Sequence, residues 1–156
     1  MAILRMSHIG IVISDLQKSI DFYCNVFGFK VVGRFDAHGL ETDRLLELQD
    51  VDLNAVYLER DGTRIELMSY RNPEVISRGG TLPMNSVGIT HLAFRVSDLE
   101  NTILHVLQAG GSQIKNAIFE NAATGSKAVF VLDPDGVRIE LLESPANPDR
   151  LPGSAG

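Results

Sequence analysis

His8 opens the segment His8-Ile9-Gly10-Ile11-Val12-Ile13-Ser14-Asp15-Leu16, and His91 opens a matching segment, His91-Leu92-Ala93-Phe94-Arg95-Val96-Ser97-Asp98-Leu99, 83 residues later. Glu66 lies in Asp61-Gly62-Thr63-Arg64-Ile65-Glu66-Leu67, and Glu140 lies 74 residues on in Asp135-Gly136-Val137-Arg138-Ile139-Glu140-Leu141. The chain thus contains one unit twice, with a histidine and a glutamate at equivalent places in each copy. Two such modules packed face to face would bring His8, Glu66, His91 and Glu140 to a shared seam. Two imidazoles and two carboxylates converging on one point form a divalent metal site.

Strand alternation supplies the direction of these side chains. If Ile9, Ile11 and Ile13 pack on a helix, His8 points to the opposite, concave face. His91 does the same against Leu92, Phe94 and Val96. Ile65 and Leu67 flank Glu66, and Ile139 and Leu141 flank Glu140, so both carboxylates also face away from the helix. A lone strand histidine is more often a surface or hydrogen-bonded residue than a ligand, and a lone glutamate is usually solvated. The joint pattern decides otherwise: apolar positions differ between the copies (Ile11 against Phe94), while both His and both Glu persist.

The elements that must carry these residues are legible from periodicity. Residues 3–13 alternate and are rich in Ile and Val, which predicts a strand. Ser14-x-x-Gln17 and Ser97-x-x-Glu100 read as capping boxes. A helix over 15–27 puts Leu16, Ile20, Tyr23 and Phe27 on one face, and its counterpart aligns Leu99, Ile103 and Val106. Gly28, and Gly110 with Gly111, end the two helices. Extended runs follow at 29–34, 53–60 and 63–69 in the first copy, and at 112–118, 126–133 and 137–143 in the second. Asp61-Gly62 and Asp135-Gly136 read as hairpin turns joining the last two strands of each copy. Each module is therefore β-α-β-β-β. The expected fold is α+β, with two βαβββ modules forming a curved mixed sheet around a metal cavity.

The first copy holds nine more residues between helix and last strand. They fall within 35–50, where Thr42–Leu48 suits a helical turn, and the segment is either a substrate cover or a neutral surface insertion. The expected organisation is a single domain, 1–156. It comprises module 5–69, linker 70–87, module 88–143 and a loose, proline-containing tail, 144–156.

Composition narrows the class. The chain has 156 residues, 44% hydrophobic, enough for a real core. A net charge of −6 argues against nucleic acid and anionic membrane as partners, since both require a basic patch. The lone Cys24 excludes an internal disulfide and, mid-helix, reads as buried filler. With no bilayer-length apolar run and no signal-peptide pattern, the expected location is cytoplasmic.

The repeat, its ligand positions, the Asp-Leu-Gln-Lys-Ser-Ile-Asp-Phe-Tyr run at 15–23 and the Asp-Pro-Asp-Gly-x-x-Ile-Glu-Leu run at 133–141 resemble the vicinal oxygen chelate superfamily. That group includes glyoxalase I, methylmalonyl-CoA epimerase, fosfomycin-resistance proteins, extradiol dioxygenases and bleomycin-binding proteins. The resemblance spans residues 5–143. It implies one divalent metal ion per site (Ni, Co, Mn, Fe or Zn) on His8, Glu66, His91 and Glu140, a small-molecule substrate and a homodimer.

Ligand count separates the activities. Four protein ligands leave two octahedral positions, which suits a substrate with vicinal oxygens. A Lewis-acidic ion makes the adjacent C–H acidic, and Glu66 or Glu140 can take the proton as the catalytic base. The expected activity is therefore a metal-dependent isomerase or lyase of glyoxalase or epimerase type. An extradiol dioxygenase is the alternative; by the resemblance it would use His8, His91 and Glu140 alone. A non-catalytic, bleomycin-resistance-like binding protein is a further alternative, but such proteins tend to lack the ligand set. Fosfomycin-type transferases use three ligands and cationic pockets, to which Arg64 and Arg138 could contribute; surface ion pairing is their plainer role. Bacterial glyoxalase I carries Arg where this chain has Val12 and Asn where it has Tyr70, so its glutathione-binding pattern is absent. His38, Tyr70, Arg71 and Arg78 are loop candidates for substrate contact, and His105 is expected to be exposed.

Overall fold

The computed structural model describes residues 2–77 and 80–149. The chain divides into two compact units, residues 1–79 and 80–156. Each contains one copy of the repeat.

In the first unit, β1 (Ile9–Val12) is followed by α1 (Leu16–Phe27), β2 (Lys30–His38), α2 (Leu40–Leu46), β3 (Asp52–Arg60) and β4 (Thr63–Asn72). The strands form one mixed sheet in the order β1-β4-β3-β2. β1 runs parallel to β4, with Ile9 beside Ile65 and Ile11 beside Leu67. Ile11, Ile13, Val56, Leu58, Ile65 and Leu67 are buried on the side that α1 covers. The helix presents Ile20, Tyr23 and Phe27 as its periodicity predicts, and adds a buried Phe22. Phe22, Tyr23, Phe27 and Phe29 pack edge to face around Tyr23 and Phe27.

The second unit has β5 (Leu92–Val96), α3 (Leu99–Gln108), β6 (Ser112–Asn121), β7 (Ser126–Leu132) and β8 (Arg138–Glu143). Its sheet has the equivalent order, β5-β8-β7-β6, with β5 parallel to β8. Val129, Val131, Ile139 and Leu141 form the buried face, on which α3 places Leu99 and Val106. The two mixed sheets with their helices are the α+β architecture that the repeat predicts.

Several local expectations need correction. The first strand starts at Ile9, not residue 3: residues 2–8 gain no ladder partners. The helix caps are Asp15 and Asp98, one residue after the predicted serines. Their carboxylates accept the amides of Lys18 (3.0 Å) and Asn101 (2.9 Å). A carboxylate at the cap also meets the positive end of the helix dipole. α1 stops at Gly28 in the left-handed region (φ 67°), where a side chain would also crowd the Arg60 guanidinium. That guanidinium donates to the Phe27 carbonyl. β2 is longer than the predicted 29–34, because it pairs with β3 along its whole length although most of its side chains are exposed.

The two Asp-Gly turns differ as well. Asp61 and Gly62 both have positive φ, 51° and 75°, the two-residue turn expected of that pair. Asp135-Gly136 belongs to a wider loop organised by the buried Asp133. Its carboxylate accepts the amides of Asp135 (2.9 Å) and Val137 (2.7 Å). The start of the C-terminal segment is anchored: the Arg95 guanidinium donates to the carbonyls of Ser144 and Ala146.

The caps give a direct test. Asp15→Ala should lower the unfolding free energy in urea by about 1 kcal/mol, whereas Asp15→Asn, which still offers an acceptor, should stay near wild type. Equal losses in both variants would assign the effect to charge instead of the cap hydrogen bond.

Candidate functional site

In the first unit, the face of the sheet opposite α1 carries His8, Glu66, Tyr57 and Phe35. Strand register produces this set. Gly10 pairs with Glu66 across β1 and β4, Tyr57 with Glu66 across β3 and β4, and Gly33 with Tyr57 across β2 and β3. Nε2 of His8 lies 3.1 Å from Oε2 of Glu66. In the second unit Ala93 and Phe130 are the register partners of Glu140. Nε2 of His91 lies 3.3 Å from Oε2 of Glu140. The structure therefore brings together the histidine and glutamate of each copy. No third His, Cys, Asp or Glu joins either pair among the described residues.

Both imidazoles are anchored from behind. The Ser7 hydroxyl is 2.9 Å from Nδ1 of His8, and the Thr90 hydroxyl is 2.8 Å from Nδ1 of His91. A hydroxyl that accepts from Nδ1–H leaves the Nε2 lone pair free, aimed at the carboxylate side. Sequence reasoning missed these two residues, although the signal was present: a hydroxyl residue immediately precedes the histidine in both copies.

The geometry of each pair suits metal ligation. Ligand bonds of about 2.1 Å meeting at a right angle place adjacent donor atoms about 3.0 Å apart. The observed separations of 3.1 and 3.3 Å are close to that edge. An imidazole nitrogen and a carboxylate oxygen are donors for first-row divalent ions, so the residues present fit such an ion.

The surroundings of the pairs differ. Glu66 is buried, with Tyr57 registered beside it on β3. Burial first, then the Glu66 charge, pushes the Tyr57 and Tyr70 phenols above their ordinary range. The Tyr57 ring is stacked on Phe35 at 5.6 Å and tilted against His8 at 5.2 Å. In the second unit Phe130 occupies the corresponding place, edge-on to His91, with the Arg138 guanidinium over its ring. A groove of about 650 Å³ runs beside Glu140, lined by Ala93, Ile118, Phe119, Phe130 and Leu142.

The remaining candidates have other places. Arg64 pairs with Glu59 at 2.5 Å. Arg138 donates to the Leu82 carbonyl and contacts the Met84 sulfur. His38 is exposed at the end of β2, where its carbonyl accepts the Thr42 hydroxyl. His105 is exposed on α3. Tyr70 extends the Glu66 side of the sheet. Cys24 is half-buried, and burial raises its thiol, so it is a poor nucleophile. Arg78 lies outside the described residues.

Arg71 is engaged by two carboxylates. Its guanidinium donates to Asp52 at 2.8 and 2.5 Å and to Asp36 at 3.1 Å, while the Asn54 amide donates to Asp36. Asn54, followed by Arg71, holds the Asp36 carboxyl below its usual range; Arg71 does so for Asp52. These groups tie the ends of β2, β3 and β4 together.

With this geometry in place, comparison with known proteins identifies the family. Residues 5–141 match the model of the Glyoxalase/Bleomycin resistance protein/Dioxygenase superfamily, and the chain belongs to it. It is 30% identical over 149 residues to a lactoylglutathione lyase of Neisseria meningitidis, covering 95% of this chain and 96% of that one. It is 32% identical over 139 residues to the catechol-2,3-dioxygenase of Bacillus subtilis, covering 86% of this chain and 41% of that one. Among solved structures, a glyoxalase family protein from Bacillus cereus superposes with a TM-score of 0.78 at 22% identity, covering 92% of this chain and 95% of that one.

The Arg71 network yields a pH prediction. Carboxyls depressed in the fold stabilise it above their unfolded pKa, and that stabilisation is lost as pH falls through the lower, folded values. Arg71→Gln should therefore lower the melting temperature at pH 7, with the deficit shrinking below about pH 4 as the partner carboxylates protonate. It should also shrink in 1 M salt, because the groups are solvent-exposed. A deficit independent of both pH and salt would make packing the cause.

Proposed function

We propose that the chain is a divalent-metal-dependent isomerase or lyase of glyoxalase or epimerase type. The observation that carries this reading is the repeated His–Glu pair. Each has donor atoms about 3 Å apart, the spacing of adjacent ligands, and each has its imidazole anchored at Nδ1 by a hydroxyl. In this reading His8, Glu66, His91 and Glu140 all ligate one ion, Ni, Co, Mn, Fe or Zn. The modules 5–69 and 88–143 act as one catalytic domain of a cytoplasmic homodimer.

Bound by these side chains, a divalent ion would act as a Lewis acid on the oxygens of a chelating substrate and acidify the neighbouring C–H. The residues of the chain then move the proton. Glu140 is the base: its side chain is 30% exposed against 10% for Glu66, and it borders the groove. A carboxylate oxygen of Glu140 accepts the proton from carbon and returns it, either to the neighbouring carbon or to the opposite face of the same one. One proton leaves and one enters, so no oxidant is required. Phe130, Ala93 and Leu142 limit water around that oxygen. Glu66, buried on its side of the sheet, serves chiefly as a ligand.

The substrate is a small carbonyl or carboxyl compound with vicinal oxygens. Val12 and Tyr70 offer no cation and no amide where the glyoxalase I resemblance places glutathione contacts. The similarity to a catechol-2,3-dioxygenase favours ring cleavage as the second reading, in which Glu66 would not bind the ion.

Purified protein should contain one divalent ion per site, and His91→Ala should lose most of it; equal metal content in both would refute the ligand set. Turnover of hydroxycarbonyl substrates should continue anaerobically and exchange solvent deuterium into carbon; activity that requires O₂ would select the dioxygenase. Glu140→Gln should lose roughly a hundredfold in turnover per bound metal. Glu66→Gln should lose less, since the resembling epimerases carry Gln there. The opposite ranking would exchange the roles of the two glutamates.

A further inference from the structure

The edge strands of the two copies part from their neighbours at the same place, by different amounts. In the first copy the register of β2 slips once, between Val31 and Gly33, and Gly33 still pairs with Tyr57. In the second copy Gln113 pairs with Val131 and Ile118 with Val129. Four residues of β6, 114–117, therefore stand opposite Phe130 alone. Asn116, at positive φ (63°), turns the strand within this stretch. A bulge bends its strand and disrupts the ladder around it. Phe130 consequently has no ladder partner on β6, whereas its counterpart Tyr57 has one on β2.

The space beside this bulge is the groove of about 650 Å³, and the second unit alone builds it. Asn116 and Ala117 of the bulge line it together with Ile118, Phe119 and Leu142. Phe130 and Glu140 belong both to the groove and to the surroundings of His91, so the groove is continuous with the His91–Glu140 pair. Ile118 and Phe119 are large apolar side chains, yet they are 58% and 54% exposed. The charged groups of the lining are Glu140, Asp149 and Arg95, and Arg95 is engaged by the carbonyls of Ser144 and Ala146. Two carboxylates in the wall oppose an anionic occupant, and the apolar lining opposes a strongly hydrated one. An apolar cavity of about 150 Å³ accepts a benzene ring. A substrate of two or three carbons would leave most of this groove to water.

We propose that the β6 bulge sets the substrate class: the compound chelated at the His91–Glu140 pair carries an uncharged, ring-sized apolar group, which lies in the groove against Ile118, Phe119 and Leu142. For the chelating end this deepens the metal-dependent reading above and rests on it. The preference of the groove for an apolar ring needs no metal.

Two measurements separate these parts. Acetohydroxamate and benzohydroxamate present the same vicinal oxygens and differ by methyl against phenyl. Benzohydroxamate should bind the Mn²⁺-loaded protein about tenfold or more tightly, beyond any difference toward free Mn²⁺, because more apolar area is buried. In the double variant Ile118→Ser, Phe119→Ser that preference should fall to about twofold, with Mn²⁺ and acetohydroxamate affinities near wild type. Both replaced side chains are more than half exposed, so the variant keeps its core, and a thermal melt checks this. In metal-free protein, carbon-13 NMR of the Ile118 and Leu142 methyl groups, assigned through Ile118→Val and Leu142→Val, reads the groove alone. Benzamide should shift both signals saturably and acetamide neither.

Equal affinity for the two hydroxamates, or a preference undiminished in the double variant, would overturn the proposal and leave the metal reading intact. Methyl signals that benzamide does not move would overturn the groove's preference for a ring. The same signals moving with protein concentration, without probe, would assign the groove to a second copy of the chain and also overturn it. If wild type took up no Mn²⁺ or other divalent ion, the metal reading would fail, and the chelating end of the proposal with it. The benzamide titration would still decide for or against the groove.

Discussion

Side chains on a strand alternate between faces, and in this chain that alternation lifts one carboxylate per copy out of a hydrophobic core. Ile65 and Leu67 are buried at 1% and 0% exposure, as are Ile139 and Leu141 at 0% each. The residue between them has no choice of side. A register slip of one position would expose two core residues and bury an ionised glutamate under a helix, both costly. The parallel pairings β1–β4 and β5–β8 then set which strand shares that face, and so which histidine meets which glutamate. Core packing and site geometry are one constraint seen from the two faces of the same sheet.

Around that shared frame the copies have diverged where the frame permits. α1 packs three buried aromatic side chains against its sheet, while α3, with none, buries Leu99 and Val106. Both helices begin at an aspartate whose carboxylate accepts the amide three residues on. The extra residues of the first copy lie between β2 and β3 and form α2, secured by Asp43, whose carboxylate accepts the amides of Asp50 and Val51. None of these differences disturbs the strands that carry the His–Glu pairs, which explains how two rather different modules retain equivalent polar faces.

The face opposite the helix is where divergence carries chemistry. Tyr57 and Phe130, each registered beside a glutamate, differ by one oxygen. Glu66 is enclosed on its side of the sheet, and Glu140 is more open, beside an apolar groove. Low exposure strengthens every polar contact made there. A duplicated module thus provides two like carboxylates, and neighbouring side chains give them unlike surroundings.

Much of this was legible in the sequence, because it depends on patterns local to a segment. The duplicated motifs placed His8, Glu66, His91 and Glu140 on polar faces. The 3.6-residue period marked Ile20, Tyr23 and Phe27, and Asp61-Gly62 marked a tight turn. Where the reading missed, the deciding interaction lay elsewhere. β2 is held by pairing with β3 and not by its own exposed side chains, so its length could not be read from its pattern. The choice of Asp15 over Ser14 as cap turned on one backbone geometry. Arg71 was a loop candidate until the fold brought in Asp36, 35 residues away. The pairing of Tyr57 with Glu66 and of Phe130 with Glu140 follows from strand register, and the hydroxyl contacts of Ser7 and Thr90 from side-chain orientation. The sequence alone determined which residue types face away from the core, since alternation is a property of the strand. Only the tertiary structure decided which of them touch, because register joins residues that the chain itself keeps apart.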